Sequence, residues 1–135
     1  SLIIEGVHLQ MSFVIELMQA NPSVVPFLIW ISNEAKHRER FAVRSKYNTL
    51  NPSQNRYVKN FKAIRVIQKN IHKQAKKYLI PSIDNTNVDR SIATIHSITL
   101  LCIRHIFHNR PLFDELTQQA TLMHKEAEIT MNQAW

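Results

Sequence analysis

Short apolar runs that alternate with helix-period stretches constrain the fold of this chain more than any other feature. Three runs short enough to be strands cover Leu2–Glu5, Phe27–Ile31 and Leu79–Ile83. Short apolar runs rich in isoleucine are typical of parallel strands that are covered on both faces. Because strands that alternate with helices favour parallel pairing through right-handed crossovers, we predict an α/β fold.

The stretches around these runs predict four helices, at Ser12–Ala20, Ser32–Tyr47, Gln54–Tyr78 and Val88–His108. In the longest of them, apolar residues recur every three or four positions and the lysines lie largely off that stripe, which indicates a solvated basic face. Pro111 ends the last helix, and residues 111–135 are predicted to be a helical or loose tail. Three strands make a small sheet for a doubly wound fold. We therefore expect a preceding part of a longer protein to supply the remaining strands.

Glycine is almost absent from the sequence, and the only one is Gly6. A phosphate-cradling loop of the form GxxxxGK[ST] needs at least two glycines, so this sequence contains no such loop. We expect Gly6 to mark a tight turn out of the first strand, with a positive φ or a close approach to a ligand. The first residue is Ser and an apolar run follows at once, which indicates a fragment of a longer protein.

Positive charge is concentrated in the middle of the chain. The net charge is +7, and the segment from Lys36 to Lys77 holds 13 Lys or Arg residues and one acid, Glu39. Such a segment attracts polyanions, whether nucleic acid, anionic lipid or a phosphorylated small molecule.

The single cysteine excludes an internal disulfide. No apolar run approaches the ~20 residues of a membrane span, no signal peptide is recognisable, and we expect a cytoplasmic protein.

Polar residues follow each predicted strand, at Glu5–His8, Ser32–Glu34 and Asp84–Asn87. Ligands of open α/β sheets bind at the carboxyl ends of the strands, so these residues form a candidate site. A carboxylate placed like Glu5 holds Mg²⁺ or its water, or activates an acceptor hydroxyl. The alternative is an acid that caps a helix or pairs with a lysine. His8 either contacts substrate or hydrogen-bonds at the strand edge.

The basic segment after the second strand has its own pattern. In a helix, Lys36, Arg40 and Arg44 share one face, where like charges repel by a few tenths of a kcal/mol per pair. An anion between them relieves that repulsion, and arginine forks match phosphate oxygens in two-point contacts. The alternative is a solvated basic face.

Four motifs carry a family resemblance: LIIEGVHL, VPFLIWISNEAKHRERFAVRSKY, NPSQNRYVKNFKAIRVIQ and PSIDNTNVDRSIATIH. Together, from Leu2 to Arg104, they resemble the carboxyl-terminal part of the 2-phosphoglycerate kinase family, closest to its plant and protist low-phytic-acid-type relatives. The resemblance implies a three-layer α/β/α P-loop kinase fold with a parallel sheet. Here that fold is incomplete, with about three strands and without its phosphate-loop half. Residues 1–110 would be the carboxyl-terminal half of the kinase domain, with a lid at about 33–57.

The resemblance also implies roles for individual residues. Glu5 would stand near Mg²⁺, through water, or near the acceptor, and His8 would contact the phosphorylated acceptor. The lid cations that close on phosphates would be Arg38, Arg40, Arg44 and Lys46, with Arg40 and Arg44 catalytic. The residues near the nucleotide would be Asn85, Thr86 and Asn87. The implied cofactors are ATP and Mg²⁺.

Three functions remain open on this basis. The first is the lid-bearing part of an ATP-dependent kinase that acts on a 2-phosphoglycerate-type acceptor. This chain alone would then bind ATP poorly and be inactive, because it lacks the phosphate loop. The second is a non-catalytic basic module that binds nucleic acid or anionic lipid, in which the strand-end motifs have no purpose; we therefore expect no nucleic-acid partner. The third is a pseudokinase-like interaction domain. The sequence does not fix an oligomeric state.

Overall fold

The computed structural model describes residues 1–47 and 56–132, with the backbone alone for 44–47. The elements in chain order are α1 (Met11–Ala20), β1 (Leu28–Trp30), α2 (Glu34–Tyr47), α3 (Arg56–Lys59), α4 (Phe61–Lys77), β2 (Ser82–Asp84), α5 (Val88–Phe107) and α6 (Thr121–Met131). The two strands are parallel, with Leu28 opposite Ser82, Ile29 opposite Ile83 and Trp30 opposite Asp84. The fold is therefore α/β with a small parallel sheet, as the alternation of strands and helices predicts.

The predicted strand at Leu2–Glu5 is wrong. This stretch has no regular structure, and Leu2 and Ile3 are 83% and 90% exposed. A strand exists only where a neighbour completes its hydrogen-bond ladder, and the sheet in the described part of the chain consists of β1 and β2 alone. An apolar run without such a neighbour stays solvated.

The positive φ predicted for Gly6 is absent. Its φ lies outside the positive range, and an added Cβ would meet only Leu9 Cγ, at an ordinary 3.8 Å. The predicted turn follows it directly, at Val7 and His8.

The single long helix predicted from Gln54 to Tyr78 is interrupted within the described residues. Asn60 separates α3 from α4 with φ −102° and ψ 17°, and its side-chain Nδ2 donates to the carbonyl of Arg56 at 2.9 Å. Asparagine competes for backbone hydrogen bonds in this way, which favours a break in the helix. The beginning of the predicted helix, Gln54 and Asn55, lies outside the described residues.

The core lies where α5 packs against α6 and against β2. One ridge of α5 is buried along its whole length, at Ser91, Thr94, Ile98, Cys102 and His105. The segment after Pro111 completes this core with Leu112, Phe113, Ala120, Met123 and Ala127.

One polar contact crosses the same packing interface. His105 Nε2 lies 2.7 Å from Glu126 Oε1, between α5 and α6. Burial, and then the nearby Glu126 carboxylate, raise the pKa of Cys102 to about 11, so its thiol is a core group that stays protonated.

No helix in the described ranges is both long enough and apolar enough to cross a bilayer.

Packing on α5 can be tested with Ile98→Ala. Ile98 is fully buried, so the substitution leaves a cavity and is expected to lower the free energy of unfolding by about 2–4 kcal/mol. The matched control is Ile103→Ala on the exposed face of the same helix, which is expected to cost far less. Urea unfolding of this 135-residue chain measures both, and equal losses would contradict the assigned core.

Candidate functional site

The two strands end beside each other, and one carboxylate joins the loops that follow them. Asp84 is the last residue of β2. Its Oδ1 accepts hydrogen bonds from Ser32 N at 3.1 Å, Thr86 N at 3.1 Å and Thr86 Oγ1 at 2.7 Å. Its Oδ2 accepts a hydrogen bond from Ser32 Oγ. Asp84 therefore ties the loop after β1 to the loop after β2.

The protonation of Asp84 follows from these contacts. Partial burial raises the pKa of Asp84, but the hydrogen bonds from Ser32 and Thr86 together outweigh burial, and the pKa lies below its ordinary value. Each of these bonds favours the charged form. Asp84 is consequently a carboxylate both of whose oxygens accept hydrogen bonds from the protein itself.

Arg40 fixes the loop after β2 from the side of α2. Its Nη1 donates to the carbonyl of Asn85, and its Nη2 donates to the carbonyl of Thr86 at 2.7 Å. A planar guanidinium with paired donors suits two adjacent acceptors. Arg40 therefore holds helix α2 against the predicted nucleotide-facing loop, in which Asn87 also caps α5 by accepting from Arg90 N at 3.0 Å.

Two side chains of α4 fix the loop after β1. Arg65 Nη1 donates to the carbonyl of Ile31 at 2.6 Å, and Nη2 donates to the carbonyl of Ser32 at 3.1 Å. Gln68 pairs with both backbone groups of Ile31, accepting from its N–H at 3.0 Å and donating to its carbonyl at 2.9 Å. The backbone after β1 is thus held by side chains of α4 rather than by pairing with a further strand.

His37 fills the space between α2 and α4. It is 6% exposed, and its ring centroid lies 4.8 Å from that of Phe41 and 5.3 Å from that of Phe61. Arg65 Nη1 lies 3.4 Å from His37 Nδ1. Burial, and then the charges of Arg65 and Arg40, lower the pKa of His37, so this imidazole is neutral at pH 7.

Of the predicted site residues, the structure brings together Arg40, Asn85, Thr86 and Asn87. Glu5 and His8 are exposed in the segment before α1, and neither makes a hydrogen bond or ion pair within the described part of the chain. The side chains of Arg44 and Lys46 lie outside the described residues, although their backbone belongs to α2.

Arg38 stands on the outer side of α2. Its Nη2 lies 3.8 Å from Glu34 Oε1, and its guanidinium lies 4.7 Å from the ring centroid of Phe61. The residue lines an open depression of about 620 Å³ together with Glu34 and Glu39, so acids share this surface with the cation. Lys36 likewise pairs with Glu39 at 3.2 Å.

Sequence reasoning missed Arg65, Gln68 and His37. All three are polar residues that point into the fold rather than to solvent. The available signal was that Arg65 and Gln68 are one helical turn apart, next to the apolar stripe of α4.

The described residues do not gather a cluster of metal ligands. Asp84 accepts hydrogen bonds from Ser32 and Thr86 on both of its oxygens, and Glu5 stands apart from it. No group of three His, Cys, Asp or Glu side chains that could hold a metal occurs within the two described ranges. Mg²⁺ in kinases is usually bound by one or two carboxylates together with waters and substrate phosphates, which is the role predicted for Glu5.

Comparison with known proteins relates the chain to kinases. An uncharacterized protein of Dictyostelium discoideum is 45% identical over the whole chain, which spans 16% of that relative. The 2-phosphoglycerate kinase of Methanothermobacter thermautotrophicus is 36% identical over 73% of the chain, and that of Methanopyrus kandleri is 32% identical over 70%. The chain spans 31% and 29% of these two kinases. No family model and no solved structure matches the sequence.

The longer of these matches has to include the loop after β2. A single stretch that covers 73% of the chain contains its middle, where Arg40, Arg65 and Asp84 all lie. The chain is thus related to the Methanothermobacter kinase through a region that holds this part of the candidate site.

Replacing Asp84 with Asn tests the role of the carboxylate. The variant loses the charge and presents an amide N–H₂ to the donors of Ser32 and Thr86, so we expect a loss of about 1–2 kcal/mol in the free energy of unfolding near pH 7. Asp89→Asn, at the exposed start of α5, is the matched control and is expected to cost much less.

The native chain and the Asp84→Asn variant are also expected to differ in how their stability depends on pH. The pKa of Asp84 is lower in the folded chain than its ordinary 3.8, so its contribution is complete above that pH and is lost as the pH falls below it. The difference in stability between the native chain and Asp84→Asn should shrink below about pH 4. Urea unfolding at several pH values measures it, and a difference that stays constant would contradict the assigned hydrogen bonds.

Proposed function

We propose that this chain is the carboxyl-terminal part of an ATP-dependent kinase that transfers a phosphoryl group to a small phosphorylated acceptor of the 2-phosphoglycerate type. The observation that carries the proposal is the similarity to the two archaeal 2-phosphoglycerate kinases across the middle of the chain. The strand-end loops support it, because α/β sheets bind their ligands at this edge. Residues 1–110 would belong to the kinase domain, with a lid at about 33–57, and the predicted tail at 111–135 packs against that part through Leu112, Phe113 and α6.

In this proposal the loop of Asn85, Thr86 and Asn87 faces the nucleotide. Arg40 holds two carbonyls of that loop, and Asp84 holds one of its amides. A ligand therefore meets a loop whose backbone is already placed, which avoids the cost of ordering it on binding. Arg40 positions this loop through those two carbonyls.

The lid cations would act on phosphate charge. Arg44 and Lys46 continue α2 beyond Arg40, and Arg38 stands on the same helix. Guanidinium and ammonium groups that reach the transferred group neutralise the negative charge that develops there. Glu5 and His8 would join the site from the segment before α1, on the acceptor side.

ATP supplies the transferred group when it is bound, and Mg²⁺ neutralises its phosphates. We assign the phosphate-cradling loop to a part of the longer polypeptide outside Ser1–Trp135, and Glu5 would contact Mg²⁺ through water. The other roles proposed for this chain are placing the nucleotide loop and contacting phosphate.

A second candidate function rests on the outer face of α4. This helix has no acidic residue, and its exposed lysines are Lys62, Lys69, Lys73, Lys76 and Lys77. Such a face attracts polyanions, and a non-catalytic module that binds nucleic acid or anionic lipid would use it. The strand-end network has no purpose in that function, so we rank it second.

Substitutions on α2 distinguish the two. In the full-length polypeptide, Arg44→Ala is expected to lower ATP-dependent phosphorylation of 2-phosphoglycerate by roughly 10²–10³-fold. Arg40→Ala is expected to lower both activity and stability, the latter by about 1–3 kcal/mol, because two carbonyls lose their donor. The control Lys73→Ala, on the exposed face of α4, should change neither.

Transfer and thermal unfolding are measured side by side. If Arg44→Ala keeps full activity, the lid role is wrong. The second function replaces the first under two conditions. The unsubstituted full-length polypeptide phosphorylates no small acceptor, and Lys73→Ala weakens its binding to an RNA or to anionic vesicles.

A further inference from the structure

His37 is a titratable side chain enclosed at the point where helix α2 meets helix α4. The rings of Phe41 and Phe61 pack against it, and the residue is buried. Arg65 Nη1 lies 3.4 Å from His37 Nδ1, and because a guanidinium group only donates, Nδ1 is the acceptor. This hydrogen bond between α4 and α2 therefore requires a ring that carries no proton on Nδ1.

Two guanidinium groups stand near this ring, one on each helix. Arg40 follows His37 on α2, and Arg65 belongs to α4. Burial, and then the charges of Arg65 and Arg40, lower the pKa of His37 from its ordinary 6.5. A proton on Nδ1 would remove the acceptor of the Arg65 hydrogen bond and add a third positive charge between the helices. Protonation of His37 and docking of α2 against α4 therefore oppose each other.

No carboxylate in the described part of the chain hydrogen-bonds to His37 or pairs with it. The other charged groups on the surrounding elements are Glu34, Lys36, Arg38 and Glu39 on α2, Arg56 and Lys59 on α3, Lys62, Lys69, Lys73, Lys76 and Lys77 on α4, and Asp84 in β2. Both acids of α2 pair with other cations of that helix, Glu34 with Arg38 and Glu39 with Lys36. Asp84 accepts hydrogen bonds from the strand-end loops. The charge of a protonated His37 is thus left uncompensated.

We propose that a neutral His37 is the condition for α2 to stay docked against α4, and that protonation of its ring releases α2 from the strand-end loops. Phe41 stacks on Tyr57 of α3, with ring centroids 5.1 Å apart, so α3 would move together with α2. The helix break at Asn60, between α3 and α4, is the point about which the two would turn.

Release of α2 acts on the candidate site through Arg40. This side chain belongs to α2, so its departure deprives the carbonyls of Asn85 and Thr86 of their donor. In the proposed kinase, α2 is part of the lid at about 33–57, and acid would open that lid. Only this last step rests on the proposed function. The release itself is a property of the 135-residue chain and is measured without catalysis.

The direction of the pH effect follows from proton linkage. The docked state has the lower pKa at His37, so the released state binds more protons. The contribution of the neutral ring to docking is complete above the ordinary pKa of 6.5 and is lost as the pH falls below it. A single proton changes the ratio of docked to released chains by up to about tenfold per pH unit.

Hydrogen–deuterium exchange with peptide mass spectrometry measures this release. A detached helix of this length is only marginally stable in water, so its amides lose protection. The 135-residue chain is labelled at about pH 7.5 and about pH 5.5, with labelling times scaled to equal intrinsic exchange. His37→Asn keeps an acceptor oxygen near the position of Nδ1 and cannot take up a proton. His124→Asn, at an exposed histidine of α6, is the matched control.

We expect the protection of α2 peptides to fall in acid by up to about tenfold per pH unit below 6.5 in the native chain and in His124→Asn, while α5 stays protected. In His37→Asn the protection of α2 should not change between the two pH values. Constant protection of α2 in the native chain overturns the proposal. An equal loss in α2 and α5, or a loss that persists in His37→Asn, overturns it as well.

NMR titration of the unsubstituted chain keeps the proposal testable if His37→Asn fails to fold. The Cε1–H resonance of His37 and the amides of α2 should shift together, with one midpoint below pH 6.5. A midpoint of His37 at or above that value, or α2 amides that do not shift with it, overturns the proposal by an independent route.

Discussion

The Asp84 carboxylate is the interaction on which the arrangement of the site depends. β1 and β2 pair over three residues each, which is a short ladder to fix the relative position of two loops. The hydrogen bonds that Asp84 accepts from Ser32 and Thr86 extend that pairing beyond the strands. A charged acceptor makes each bond stronger than a bond between neutral groups. The loops after both strands consequently behave as one unit, against which α2 and α4 are placed by arginines.

Those arginines change how the positive charge of the chain should be understood. Arg40 and Arg65 each donate to two backbone carbonyls and lie against the fold. Their first role is structural, and burial beside them keeps His37 neutral. The exposed lysines of α4 form a separate surface on the solvent side. The positive side chains behind the net charge of +7 therefore have two roles. Some hold the strand-end loops in place, and others are available to anions from outside.

Local signals in the sequence were sufficient for most elements and insufficient for the site. The helices at 34–47 and 88–107, and the strand around Ile29, follow from periodicity and flanking polar residues. The strand predicted at Leu2–Glu5 was wrong because a strand depends on a neighbour far away in the chain, which no local pattern reveals. Convergence of the loops after Trp30 and Asp84 was predictable from parallel pairing. The contacts of Arg65 were not, because they depend on where α4 crosses the end of β1.

We propose that the strand-end loops face a nucleotide and a phosphorylated acceptor. Amide chemical-shift mapping by NMR, on the full-length polypeptide titrated first with Mg²⁺–ATP and then with 2-phosphoglycerate, tests it most directly. We expect the amides of Asn85, Thr86 and Asn87 to shift with the nucleotide and those of α2 to shift when the acceptor follows. Shifts confined to the lysine face of α4, with none at 85–87, would contradict it.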